Sequence, residues 1–245
     1  MDNSWKHQAE FIVRGYEADF RNRASVHTFC YYMEEAAGQH AEKLGFSMER
    51  LRNEGTAWVL VRMYVETYAF PQTGQKVYVT TWPLGIDKLL FRRDFELCGE
   101  NKEVIAKAIS RWAVVNLTTR KLERIAYPGL SPEEPEKILE EPKWKISSQS
   151  ESPELLQVNV RLSDIDQNNH VNNVHYIEWV MESSPYASDS DKKLASLEIL
   201  FKAEGKHKDV VSARGCLGEA EGEFIYGLFR ADGTELVRAK TVYNN

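Results

Sequence analysis

The sequence predicts an α+β fold built twice in series, each half an antiparallel sheet wrapped around one long helix. Three observations carry this reading. FIVRGYEADFRNRASVHTFCYYMEEA (11–36) lies over VNVRLSDIDQNNHVNNVHYIEWVMES (158–183), 147 residues apart, and repeats of that length mark duplicated units. In each copy a stretch with helical spacing leads into segments that alternate like strands. Between the copies, PGLSPEEPEKILEEPKWKISSQSESP (128–153) holds five of the chain's eight prolines and many Glu and Ser residues. That is a linker composition. The expected organisation is therefore a first unit over 1–130, a linker over 131–153 and a second unit over 154–245.

The elements follow in order. The first copy opens on a strand around Val13 and an acidic turn at Glu17 and Asp19. A helix comes next: Val26, Phe29, Met33, Ala36, Ala37, Ala41 and Leu44 recur every three or four residues. Ser25 suits its N-cap, and Gly45 suits its end. VYVTTW (77–82) and IAKAISRWAVV (105–115) alternate as strands, with a hairpin turn at GEN (99–101). In the second copy Asn172 matches Ser25 as a cap. Val174, Ile177, Val180 and Met181 mark the helix, which stops near Pro185. The repeat then resumes at smaller offsets. YVETYAF (64–70) lies against EILFKAE (198–204), and EVIAKA (103–108) against ELVRAK (235–240), the latter preceded by a turn at ADG (231–233).

Bulk properties exclude several classes. A chain of 245 residues, 42% hydrophobic and 28% charged, has the make-up of an ordinary soluble protein. A net charge of −6 argues against general nucleic-acid binding. The N-terminus carries no basic segment followed by an apolar one, so no signal peptide is expected. No apolar run approaches the ~18 residues of a membrane span. Cys30, Cys98 and Cys216 are scattered, odd in number and without a C-x-x-C pair. They fit a reducing compartment, with neither a disulfide framework nor a thiol–zinc site.

The chemistry concentrates in DIDQNNHVNNVHYIEW (164–179). As a calcium loop it matches only the first three ligand positions: Asn169 stands where the EF-hand glycine belongs, and His175 where the bidentate glutamate belongs. As a plain helix start, Asn172 caps, and Asp164 and Asp166 favour the positive helix end. His170 is then unexplained, since a cation there is mildly unfavourable. As a reaction centre, Asp166 and His170 bracket Asn168 on a loop entering a helix. A carboxylate can fix a histidine tautomer or take a proton, and free amides at the helix start can hold an oxyanion. This suits acyl transfer or hydrolysis. The first copy has Asp19, Arg21 and Arg23 at these positions, so catalytic chemistry is expected in the second copy alone.

Asp166-Gln-Asn168-Asn-His170-Val-Asn-Asn-Val-His-Tyr-Ile-Glu-Trp179 resembles the Asp-x-Asn-x-His-Val-Asn-Asn-x-x-Tyr-x-x-Trp signature of the acyl-acyl carrier protein thioesterases. EEAAGQHAEKLG (34–45), WVLVRMYVE (58–66), TWPLG (81–85), RRDFEL (92–97) and the Arg-Trp of 111–112 are similar to the family's first half, in the same order. The resemblance spans about residues 9–243. It implies a tandem hot-dog fold and hydrolysis of fatty acyl-carrier thioesters, which ends chain elongation. It also implies a bacterial, cytoplasmic member, since no transit peptide is seen.

The resemblance further implies a glutamate on a strand of the second unit, which falls at Glu204. Phe70 stands opposite it in the first copy. Glu198 is a rival, an even number of residues earlier and so on the same face of a regular strand. Gly205 stands where some members carry a cysteine, and Cys216 does not match, so no cysteine nucleophile is expected. Two routes stay open: Glu204 or Asp166 as base for water, or direct attack by the Asp166 carboxylate. His170 orients the other groups, stabilises charge or donates a proton, and Asn168 positions water or carbonyl. No metal or redox cofactor is needed. The acyl chain is expected in the first unit, with Met33, Ala37, Ala41, Trp58, Val61 and Met63 as candidate lining. The partner is an acidic acyl carrier protein, to be met by Arg92, Arg93, Arg120, Lys121 and Arg124 or by Lys202, Lys206 and Lys208. An acyl-CoA thioesterase and a non-catalytic acyl-binding module are the rival functions. The chain is expected as a monomer or homodimer.

Overall fold

A computed structural model describes residues 5–125, 137–189 and 191–244. The part of the expected linker at 131–136 lies outside the described residues. Contacts divide the chain into two compact units. One comprises Met1–Val61 and Val65–Glu141, the other Arg62–Tyr64 and Pro142–Asn245.

In the first, β1 (His7–Ile12) precedes α1 (Val26–Lys43) and a short α2 (Met48–Asn53). Then come β2 (Thr56–Thr67), β3 (Lys76–Asp87), β4 (Leu90–Cys98), β5 (Val104–Asn116) and the two-residue β6 (Leu122–Glu123). The strand order is β1-β3-β4-β5-β2, with β6 on β5. In the second, β7 (Glu154–Asn159) precedes α3 (Asn173–Glu182), β8 (Lys193–Phe201), β9 (Val210–Leu217), β10 (Glu223–Arg230) and β11 (Glu235–Asn244). Its order is β7-β9-β10-β11-β8, the same order as in the first. The neighbouring strands pair antiparallel, for example Phe95 with Ala108 and Tyr226 with Ala239. Each unit is thus a hot-dog: one antiparallel sheet on one main helix.

Ser25 caps α1 by accepting the Thr28 N–H at 3.3 Å, and Gly45 ends it at φ +76°, a conformation that suits glycine. Phe29, Met33 and Ala36 are fully buried. Phe29 and Met33 each contribute about 1.5–3 kcal/mol by that burial. After Ala37 the next buried position on the helix is His40 rather than Ala41, which is only half-buried. The His40 ring accepts from Arg93 Nη1 at 3.1 Å, so a polar pair fills a place that periodicity assigns to an alanine.

Arg92 and Arg93 correct an expectation. Both are buried, each 7% exposed, and neither is surface charge for a partner. On β4 every residue from Phe91 to Phe95 is buried, because both faces are covered. Arg93 turns to His40 and Thr81. Arg92 grips Asp94 with two hydrogen bonds, of 2.8 and 2.9 Å, and donates to the Leu139 carbonyl at 3.0 Å. Asp94 also accepts the Ile138 N–H, and Arg111 holds Glu141 at 2.7 and 2.6 Å.

Candidate active site

The candidate groups sit on a loop that both units build alike. In the second unit Asp166 N–H donates to the His170 carbonyl at 2.8 Å; in the first, Asp19 N–H donates to the Arg23 carbonyl at 2.8 Å. Asp166 Oδ1 accepts from Asn168 N at 2.8 Å and His170 N at 3.3 Å. Asp19 Oδ1 accepts from Arg21 N at 2.8 Å and Arg23 N at 3.0 Å. Both turns need a left-handed residue, and both use asparagine: Asn22 at φ 60° and Asn169 at φ 63°. Short bridges close the loops, Ala18 with Ala24 and Ile165 with Val171.

The side chains then differ. Asn168 Nδ2 donates to Asp166 Oδ2 at 3.1 Å, so the Asp166 carboxylate accepts three hydrogen bonds. His170 Nε2 lies 3.1 Å from Glu204 Oε2, with the two side chains 22% and 35% exposed. A carboxylate and an imidazole in contact, half open to solvent, are equipped to move a proton. Asp164 is buried and turned onto Arg161, which bonds it through both amide and guanidinium. Burial alone would raise its pKa; those bonds outweigh it and hold the carboxyl below its ordinary value.

Glu204 does not lie on a strand. β8 ends at Phe201, and Lys202 N and Ala203 N both reach the Leu236 carbonyl, at 2.8 and 3.3 Å. The chain leaves the sheet there, so the even spacing from Glu198 does not put the two carboxylates on one face. Glu198 is buried at 4% exposure on β8, 3.6 Å from Lys240 Nζ. Burial pushes its pKa up.

The backbone beside Glu204 is fixed from three sides. Val171 N–H donates to the Gly205 carbonyl at 3.0 Å, Gly205 N–H donates to Tyr176 Oη at 2.6 Å, and Arg230 Nη1 reaches the Glu204 carbonyl at 3.5 Å. Tyr176 is buried, which pushes its hydroxyl pKa well above the ordinary value. At the start of α3, Asn172 Oδ1 takes the Val174 N–H and the Asn172 carbonyl takes that of His175. Fewer amides are therefore open at this helix end than the bare sequence suggests.

The expected lining residues differ in burial. Met33 and Ala37 are buried on α1, with Ala41 half-buried. Trp58 packs edge-on against Phe91 and donates to the Phe46 carbonyl at 3.2 Å. Val61 is half-buried. Met63 is fully buried, in the three-residue stretch that groups with the second unit. Among the described residues no helix is long and apolar enough to cross a membrane.

Two family models match the chain: the acyl-ACP thioesterase N-terminal domain over residues 4–129 and the acyl-ACP thioesterase C-terminal domain over 147–245. A chloroplastic oleoyl-acyl carrier protein thioesterase 2 from Arabidopsis thaliana is 31% identical over 235 residues, 87% of this chain and 63% of that protein. An oleoyl-acyl carrier protein thioesterase from Coriandrum sativum is 32% identical over 86% of this chain and 63% of its own length. The chain thus spans less than two thirds of these relatives. A crystal structure of an acyl-ACP thioesterase from Bacteroides thetaiotaomicron superposes with a TM-score of 0.89 at 25% identity, covering 100% of both chains. The 12:0-ACP thioesterase from Umbellularia californica, at 22% identity, shares the fold with a TM-score of 0.79 over 98% of this chain and 97% of its own.

Proposed function

The chain belongs to the acyl-ACP thioesterase family, and from that premise we propose that it hydrolyses fatty acyl-acyl carrier protein thioesters to free fatty acid and the carrier's pantetheine thiol. The observation that carries the reading is the contact of His170 Nε2 with Glu204 Oε2 at 3.1 Å, beside the Asp166–Asn168 pair. The first unit has Arg23, Phe70, Asp19 and Arg21 in those places.

Of the two carboxylates, Glu204 is the better base. Asp166 already accepts three hydrogen bonds, and two of them recur at Asp19, where no such chemistry is assembled. Its oxygens are engaged in holding the loop, which leaves it the less available of the two to attack or to take up a proton. Glu204 takes a proton from water as the water oxygen attacks the thioester carbonyl carbon. His170, in contact with Glu204, receives that proton and passes it to the thiolate that leaves as the C–S bond breaks, which returns both groups to their starting states. Asp166 holds the loop and aims the Asn168 amide at water or carbonyl.

The first unit, which lacks these groups, takes the acyl chain, with Met33, Ala37, Ala41, Trp58 and Val61 as candidate lining and Met63 beside them in sequence. Each methylene buried there is worth about 0.8 kcal/mol, so pocket depth sets chain preference. The acidic carrier docks through Lys206 and Lys208, both exposed and a few residues from Glu204. Lys202 is already paired with Glu235. The test is thiol release from C8–C18 acyl carrier proteins by wild type and Glu204→Gln. Release that falls by about 10²–10⁴-fold in the variant is the expected result. Folded wild type that frees no thiol from any chain length overturns the hydrolase reading.

A further inference from the structure

Tyr176 and Gly205 differ from their first-unit counterparts in a paired way. The repeat puts Phe29 at the place of Tyr176 and Pro71 at that of Gly205. Ala24 N–H donates to the Pro71 carbonyl at 2.8 Å as Val171 N–H does to Gly205 at 3.0 Å, so the two segments hold the same place on their loops. In the first unit the aromatic ring has no hydroxyl, and the residue opposite has no N–H. Phe29 instead stacks on Phe70, centroids 5.4 Å apart. In the second unit both polar groups are present, and they meet at 2.6 Å out of contact with water.

A buried N–H without an acceptor is costly, so hydroxyl and N–H have to come or go together. While Tyr176 keeps its hydroxyl, space also favours the glycine. A Cβ at Gly205 would lie 2.9 Å from Tyr176 Oη and 3.2 Å from Val171 Cγ2. The bond falls on the peptide that follows Glu204, where the chain has left the sheet and no strand pairing fixes it. We infer that Tyr176 and Gly205 are a positioning pair that sets the Glu204 carboxylate against His170. Tyr176 touches no reacting atom; it acts through the Gly205 amide. The inference rests on the assignment of Glu204 to the reaction.

Tyr176→Phe removes the acceptor and leaves the ring. Tyr176→Phe with Gly205→Pro copies the first unit, removing donor and acceptor together, which spares the fold an orphan N–H. Steady-state kinetics on an acyl-carrier thioester are measured for both, beside Glu204→Gln, with thermal melting to count folded protein. In both variants kcat is expected to fall about 10–100-fold, because small displacements of a reacting group cost this much. KM is expected to stay within about twofold, since binding contacts are untouched. The double variant should melt closer to wild type than the single one. A double variant with wild-type kcat overturns the inference, as does a loss of kcat that merely tracks the folded fraction. Should Glu204→Gln itself keep full activity, it is the assignment of Glu204 that falls, and the positioning role with it. Loss in Glu204→Gln with full activity in the tyrosine variants sinks the positioning role alone.

Discussion

At the scale of single residues, the first unit works as a built-in control for the second. The aspartate whose sequence context is most suggestive of catalysis is the one residue of the set present in both loops. Asp19 and Asp166 each clasp two backbone N–H groups of their own turn. Asp19→Ala and Asp166→Ala should therefore cost similar stability, about 0.5–1.5 kcal/mol for each bond lost, seen in urea melts. Only Asp166→Ala should also lower turnover per folded molecule, because only Asp166 holds Asn168. An Asp19 variant as inactive as its Asp166 counterpart would show that loss of the shared clasp, and not of the hold on Asn168, accounts for the lost turnover. Asn168 and His170 stood out by residue type and spacing, whereas Glu204 came from the family resemblance alone; the fold brings His170 and Glu204 to 3.1 Å. Tyr176 and Gly205 were written in the same repeat, as a hydroxyl and an N–H gained together. Their meeting across 29 residues is a fact of folding, and the pairing acquires meaning only once the distance is known.

At the scale of elements, residues between the two hot-dogs are pinned by charge as well as by apolar contact. Ile138, Leu139 and Glu141 are held by Asp94, Arg92 and Arg111 of the first unit. Ser148 and Ile146 are held by Glu235 and Arg238 of the second. A composition rich in Pro, Glu and Ser reads as a loose connector, yet 138–141 cover the outer face of β4. That cover is why Arg92 reads as surface charge in the sequence and is buried in the fold. Glu235 gives the pinning a pH signature. Burial pushes its carboxyl up, but bonds from Arg238, Lys202 and Ser148 prevail and hold it at about 2, below the ordinary 4.5. A depressed carboxylate adds stability above its unfolded pKa, and that stability drains away as pH falls from about 4.5 to about 2. Glu235→Gln should therefore lower the melting temperature at pH 7 and flatten its fall over that acid window. An unchanged acid slope in the variant would mean that another group supplies it.

At the scale of the whole chain, the duplication was legible and its bookkeeping was not. The offset between copies shrinks after the helices because α1 has 18 residues against 10 in α3, and because α2 has no counterpart among the described residues. α2 was invisible in the sequence: six residues with one buried side chain, Leu51, carry no periodicity to detect. The strand order was legible only as a likeness between halves, and the structure gives it as the same order twice. Two copies of one fold could have meant two reaction centres. The function proposed above needs only one, since Arg21, Arg23 and Phe70 replace Asn168, His170 and Glu204 on an equivalent backbone. Phe70 is committed to stacking on Phe29, and Arg21 lies 4.6 Å over the ring of Phe20. A non-hydrolysable acyl-pantetheine thioether should accordingly bind with a stoichiometry of one per chain in isothermal titration calorimetry. Glu204→Gln should keep that stoichiometry while losing turnover, because binding and proton transfer rest on different groups. Two equivalents per chain would mean that the first loop also receives a thioester head, and that duplication here kept two sites where the residues argue for one.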